Sequence, residues 1–334
     1  MNQIKNLLPL LFITCAGTLF GQDDQPGDVA DLVQESGVQG GLIVHVGATD
    51  LTWSAQLRVN GRYLVQALTH DEQIVRAWRQ ELRQQGCLGP VSVRAWSGGG
   101  LPFADKLVNL LIIQEEQTVS AAEISRVLAP HGVAFIRTQE GWRRERKAWP
   151  EVIDQWTHFL HVPDNNAVAD DTEVAPPHYL QWSVGPRWGR SHDQLGGVSA
   201  AVSASGRIFY IVDEGNVASI QDRAKWMLVA RDAFNGILLW KRPLGQWEDH
   251  LRPFRSGPAG LPRRLVAEGS RVYVTLGYGQ PITLLDAATG EELANYPETT
   301  DAREMILADG KLFVVVGKQP NRARRMRAPA LPEW

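Results

Sequence analysis

The sequence predicts a multidomain chain. An open α/β doubly wound sheet comes first, and all-β propeller blades, too few to close a ring, follow it. Two observations carry this prediction. Residues 29–137 alternate between strand-like and helix-like periodicities, the pattern of a parallel sheet with helices on both faces. From residue 198 onward a strand–turn–strand unit repeats, and repeated all-β units are the signature of propeller blades. With 334 residues, the chain is long enough for two separate cores.

The elements follow in order. Met1 to Lys5, the apolar run from Leu7 weakening towards Phe20, and the polar Gln22 to Gly27 describe a secretory signal peptide over residues 1–21. The run is too short for a membrane span, and Phe12-Ile13-Thr14 before Cys15 is a poor lipobox. Export without a lipid anchor or membrane span is therefore expected. Removal of the leader would leave Cys87 as the one cysteine, with no internal disulfide. Leu42 to Val46 reads as a buried strand, Leu51 to Arg58 as a helix, and Arg62 to Leu68 as a second strand. Ile74, Val75, Trp78 and Leu82 have helical spacing, and Gly86 and Gly89-Pro90 close that helix. Val91 to Trp96 and Leu107 to Ile113 are strands, the latter almost continuously apolar as in the middle of a parallel sheet. Ala121 to Leu128 is a helix, Pro130-His131-Gly132 a connection, and Val133 to Arg137 the last strand.

A Trp/His-rich bridge occupies residues 138–197, and the propeller repeats occupy 198–334, with room for about two to three blades. Arg207 to Ile211, Arg271 to Thr275 and Lys311 to Val315 are alike. The turns Asp232-Ala233-Phe234-Asn235-Gly236 and Asp286-Ala287-Ala288-Thr289-Gly290 match one another. In such a turn the aspartate can hold backbone N–H groups, while the glycine takes positive φ. A propeller needs about four to eight blades, so the chain reads as the front of a longer protein, or as one that other chains complete.

Between Gly41 and Leu51 a buried strand runs into a tight turn and a helix, where a G-x-G-x-G loop would let backbone approach a nucleotide. Gly47 is present, but Thr49 and Leu51 fill the next two glycine positions. This stretch, Leu101-Pro102-Phe103-Ala104-Asp105, and Glu123 to Gly132 (against E-x-x-R-V-L-x-P-G-G) resemble the class I S-adenosylmethionine-dependent methyltransferases. The C-terminal half resembles quinoprotein-like (PQQ-like) propellers. Asp286 to Gly290 matches their D-A-x-T-G turn, Asp232 to Gly236 departs from it at Asn235, and Trp240 stands at the docking position. Together they resemble secreted bacterial fusions of the two.

The resemblance implies cofactor-binding positions at Gly47, Asp50 and Asp71, in vestigial form. The acidic residue after the second strand is replaced by Thr69 and the one after the third by Ser97, while His131 replaces a glycine. Each lost ligand hydrogen bond costs about 1 kcal/mol, so the losses together weaken cofactor binding by orders of magnitude. The expectation is a secreted, non-catalytic binding or scaffold protein with no cofactor and no catalytic residue, a pseudoenzyme whose ligand is a protein, a glycan or a small molecule. The alternative is an S-adenosylmethionine-dependent methyltransferase. A further alternative is a fragment of a PQQ-dependent dehydrogenase, although no carboxylate cluster for its Ca²⁺ is identifiable.

Other constellations read as structural. A net charge of −3 gives no reason to expect nucleic acid, and Arg322, Arg324, Arg325 and Arg327 read as a solvated tail. His158, His161 and Asp164 are close in sequence but lack a second pair, so no metal site is expected. Ser191-His192-Asp193 cannot form a catalytic line from adjacent residues. Gly98-Gly99-Gly100 lacks the lysine of a phosphate loop.

Overall fold

The computed structural model describes residues 29–172, 180–185, 197–216, 224–245, 247 and 260–317. The expected leader, Cys15, Ser191-His192-Asp193 and the arginine-rich tail lie outside the described residues. Among the described residues, no helix is long and apolar enough to cross a membrane.

The first part is α1 (Val29–Ser36), β1 (Gly41–Val46), α2 (Leu51–Gln56), β2 (Tyr63–Thr69), α3 (Glu72–Gln84), β3 (Val91–Ala95), β4 (Val108–Ile113), α4 (Ala121–Val127), β5 (Leu128–Thr138) and β6 (Gly141–Arg146). They build one six-stranded sheet in the order β3-β2-β1-β4-β5-β6. Every pairing is parallel except β5 with β6. Side-chain alternation splits the apolar residues of each central strand between two cores. Ile43, Val65, Leu110 and Ile112 face α1, α2 and α3, and Val44, Val46, Leu111 and Ile113 face α4. This is the doubly wound α/β arrangement that the sequence predicts. Strand order reverses between β1 and β4, so their C-terminal ends form the crevice where such sheets bind ligands.

Two readings are corrected here. The sheet does not end at Arg137 but continues through the antiparallel edge strand β6 to Arg146. Pro130-His131-Gly132 is not a connection but lies inside β5, where the register with β4 slips between Val108 and Leu110. His131 takes φ +65° there, which is why a glycine would suit the position.

The second part is antiparallel throughout. β7 (Val198–Ala204), β8 (Arg207–Asp213), β9 (Trp226–Asp232) and β10 (Leu238–Pro243) form one four-stranded sheet. β11 (Leu265–Glu268), β12 (Arg271–Thr275), β13 (Ile282–Asp286) and β14 (Glu292–Tyr296) form a second. β15 (Ala302–Ala308) and β16 (Lys311–Val316) make a two-stranded sheet. One core lies between the first two sheets and another between the second and third.

Both Asp-Ala-x-x-Gly turns are built as expected. Asp232 Oδ1 accepts from Phe234 N and Asn235 N at 2.9 and 3.0 Å, and Asp286 Oδ1 from Ala288 N and Thr289 N at 2.9 and 2.8 Å. Gly236 and Gly290 have φ +72° and +71°. A tryptophan lies flat on each glycine. Trp182 Nε1 donates to Ala233 O, and Trp240 Nε1 to Ala287 O, both at 2.9 Å. A Cβ on either glycine would stand 2.6 Å from the ring above it.

The departure at Asn235 has a structural reason. Its Nδ2 donates to Leu107 O at 3.0 Å and to Asn109 Oδ1 at 2.6 Å, so the first turn reaches across to β4. Asn109 Nδ2 donates to Asp232 Oδ2 at 2.7 Å, and its Oδ1 also accepts from Leu42 N at 2.8 Å. Threonine could not supply that amide donor. Gly41 makes room for the junction, because a Cβ there would lie 2.0 Å from Asn109 Oδ1.

Candidate functional site: the crevice at the strand ends

β1 ends at Val46 and is followed by Gly47, whose φ of +75° turns the chain sharply out of the sheet. A Cβ there would touch Gln114 Cβ at 3.4 Å, so Gly47 and Gln114 stand side by side where the strand order reverses. Ala48 is buried and Thr49 is exposed. Leu51 belongs to α2 and is buried in the core beside Leu57 and Val29. A leucine at the third loop position therefore serves packing rather than ligand approach.

The two acidic candidates are helix caps. Asp50 Oδ1 accepts from Thr52 N at 2.7 Å and Trp53 N at 3.3 Å, capping α2. Asp71 Oδ1 accepts from Gln73 N at 2.6 Å and Ile74 N at 3.4 Å, capping α3. Each satisfies N–H groups that a helix leaves free at its start. Gly47, Asp50 and Asp71 all lie at the C-terminal ends of the parallel strands, after β1 and β2.

Sequence reasoning missed His45. Its ring is 1% exposed on the α2 face of β1, 4.5 Å from the Trp53 ring. Ser54 Oγ gives its proton to Asp50 O at 2.8 Å, so it accepts from His45 Nδ1 at 2.8 Å. Nε2 is then the acceptor for Gln114 Nε2, at 2.9 Å. Burial lowers the His45 pKa to about 3, so the ring is neutral at pH 7 and both its nitrogens are bonded within the protein. Such a group cannot serve as a general base near neutral pH.

This histidine makes the fold acid-sensitive. An unfolded chain protonates the residue near 6.5, whereas the folded one resists until about 3. Acid therefore favours unfolding, with the contribution complete above about 6.5 and lost at about 1.4 kcal/mol per pH unit below it. His158, whose pKa is also lowered by burial, acts in the same direction. Urea unfolding between about pH 7 and pH 4 should show this slope, and His45→Asn should flatten it. A slope unchanged by His45→Asn would contradict the reading.

Beyond β2 and β3 lies an aromatic pair. His70 stacks on Trp96 with centroids 5.6 Å apart, and Trp96 is buried, its Nε1 donating to Gly100 O at 3.1 Å. The Gly98–Gly100 stretch thus ends as an acceptor for Trp96. Thr69, at the expected acidic position, is buried, and its carbonyl accepts from Trp96 N at 2.9 Å. Further round, Glu123 and Arg126 act on the 101–105 loop. Arg126 donates to Leu101 O, Phe103 O and Asp105 Oδ1, and Glu123 Oε1 accepts from Leu101 N at 2.5 Å. The Arg126 hydrogen bonds and charge, with the Leu101 N–H, hold the Glu123 carboxyl below its ordinary value.

The bridge histidines are structural. His161 Nε2 bonds Asp154 Oδ2 at 2.6 Å, and His158 Nε2 accepts from Leu307 N at 3.0 Å. Asp164 Oδ1 accepts from Asn166 N. Among the described residues no group of three His, Cys, Asp or Glu side chains is placed to hold a metal ion.

No protein-family model matches the sequence, and no curated protein matches it. Solved structures similar to the α/β part are S-adenosylmethionine-dependent methyltransferases, among others. One is a SAM-dependent methyltransferase from Aquifex aeolicus, 19% identical with TM-score 0.28, covering 33% of this chain and 62% of that one. Another is geranyl diphosphate C-methyltransferase from Streptomyces coelicolor A3(2), 17% identical with TM-score 0.29, covering 32% of this chain and 43% of that one. A third is the [4+2]-cyclase SpnF, 23% identical with TM-score 0.28, covering 32% of this chain and 43% of that one. This chain spans about half the length of the structures it resembles. The strand order, not this likeness, carries the fold assignment.

Proposed function

We propose that this chain is a non-catalytic binding or scaffold protein, exported from the cytoplasm, in which a methyltransferase-type α/β domain is kept as architecture. The observation that carries this reading is the inward bonding of the polar groups at the strand ends. His45 is bonded through both nitrogens, and Asp50 and Asp71 cap helices. Leu51 packs into the core, and His70 stacks on Trp96. These residues do not fit S-adenosylmethionine, because carboxylates for its ribose and a second glycine for its close approach are missing at the expected positions.

The antiparallel sheets are part of a propeller of the PQQ-like kind. Supporting this, the first strand of the second sheet, β11, lies against the first strands of the other two, β7 and β15. Such contacts are expected where blades meet at a common axis. Trp182 repeats on the first turn what Trp240 does on the second. The partner recognised is a protein, glycan or small molecule.

The second reading, a working S-adenosylmethionine-dependent methyltransferase, is favoured by one feature: Gly47 keeps φ +75° beside Gln114 at the reversal of strand order. Calorimetric titration separates the two. On the first reading about 1 mM S-adenosylmethionine gives no binding heat, whereas saturation at micromolar ligand would establish the second.

A further inference from the structure

At the opposite end of the sheet, between the α/β part and the antiparallel sheets, lies a cavity of about 290 Å³. That is near the lower end of the range of roughly 300–1,000 Å³ that takes small organic ligands. Its walls come from both parts: His131 and Arg146 from β5 and β6, and Ser205, Arg207, Asp232 and Ser270 from the β-rich part.

The charge balance of these walls is unusual for an acidic chain. Asp232 is the one carboxylate in them, and its oxygens are already taken by Asn109, Phe234 N and Asn235 N. Arg207 makes one side-chain hydrogen bond among the described residues, to Gln39 Oε1 at 3.2 Å, and no ion pair. Arg146, which also lines the cavity, has no side-chain hydrogen bond or ion pair among the described residues. Arg207 also feels the charges of Asp232 and Asp286, but among the described residues neither carboxylate forms a hydrogen bond or ion pair with it. Burial lowers the Arg207 pKa, and the charges of Arg146 and Arg207 add to burial in lowering that of His131. At neutral pH His131 is therefore an uncharged donor or acceptor beside two cations. Ser205 and Ser270 also line the cavity, and a serine hydroxyl can donate or accept.

We propose that this inter-part cavity binds a small molecule through an oxyanion group, a carboxylate or a phosphate, held between Arg146 and Arg207. Guanidinium forks match the planar or tetrahedral oxygens of both groups, and a partly enclosed site strengthens the contact. The site is independent of the strand-end crevice, so it stands whether or not S-adenosylmethionine binds there.

The test is calorimetric titration of inorganic phosphate and, separately, citrate into the full chain, with Arg146→Gln, Arg207→Gln and Arg143→Gln as comparisons. Arg146 is exposed on an edge strand, so its replacement tests the site even if Arg207→Gln perturbs folding. Arg143 sits on the same strand but is paired with Glu116 and Glu145 outside the cavity. Binding of either probe, weakened about tenfold or more by Arg146→Gln and unaffected by Arg143→Gln, is the expected result. Phosphate alone would mark a phosphate ester as the ligand class, and citrate alone a carboxylate. No heat with either probe, or equal affinity in Arg146→Gln and wild type, would overturn the proposal.

Discussion

Asn109→Ala should lower the unfolding free energy by roughly 3–5 kcal/mol, the cost of leaving a buried charged group without its partner. Asn109 is buried and joins three chain segments. It donates to the Asp232 carboxylate, accepts from Leu42 N in β1, and accepts from Asn235 in the first turn. Alanine removes all three bonds at once and leaves Asp232 Oδ2 buried without its donor. Asp232 already has a pKa raised by burial and opposed chiefly by the Asn109 hydrogen bond, so losing that bond pushes it further towards protonation. The same contacts tie the α/β sheet to the antiparallel part. The substitution should therefore also separate the unfolding of the two, seen as non-coincident urea transitions by circular dichroism and tryptophan fluorescence. A single transition within about 1 kcal/mol of wild type would contradict this account of the junction.

Trp240→Ala should be comparably severe, costing about 3–5 kcal/mol. The ring is 8% exposed in the core between the first two antiparallel sheets, 6.0 Å from Phe209, and lies flat on Gly290. Removing it opens a cavity and strips Ala287 O of its donor. Trp182→Ala removes the equivalent contact on Gly236, but Trp182 is only half-buried, so it should cost clearly less. Thermal unfolding of both variants checks the order. Equal losses, or a reversed order, would show that burial between the sheets is not what gives Trp240 its weight.

The sequence made much of this fold legible, and the illegible parts share a cause. The apolar run Val108 to Ile113 announces a central parallel strand, because such strands are covered on both faces. The aspartate and glycine of each Asp-Ala-x-x-Gly turn announce its geometry, because the constraint is local. β6 was hidden because an exposed edge strand such as Trp142-Arg143-Arg144-Glu145-Arg146 has no apolar alternation to read. The disruption at His131 was visible only as a missing glycine, not as a bulge within a strand.

The site divides in the same way. That Asp50 and Asp71 would start helices follows from their position before apolar-periodic segments. The His45–Ser54–Gln114 chain does not, since Gln114 is 69 residues from His45 and meets it only through the pairing of β1 with β4. Asn235 could be seen to depart from its repeat, but Asn109, its reason, is 126 residues away on another sheet. The cavity beneath the sheet draws on both parts of the chain, so no single segment carried its signal.

The central claim is that the strand-end crevice, built from bonded or buried polar groups, takes no nucleoside. Backbone amide hydrogen exchange with and without about 1 mM S-adenosylmethionine tests it most directly, because it reports where a ligand sits as well as whether it binds. The account predicts unchanged exchange for the amides of Val46 to Trp53, Thr69 to Gln73 and Trp96 to Gly100. Slower exchange confined to those segments would contradict it, making the crevice a working cofactor site and the methyltransferase reading the correct one.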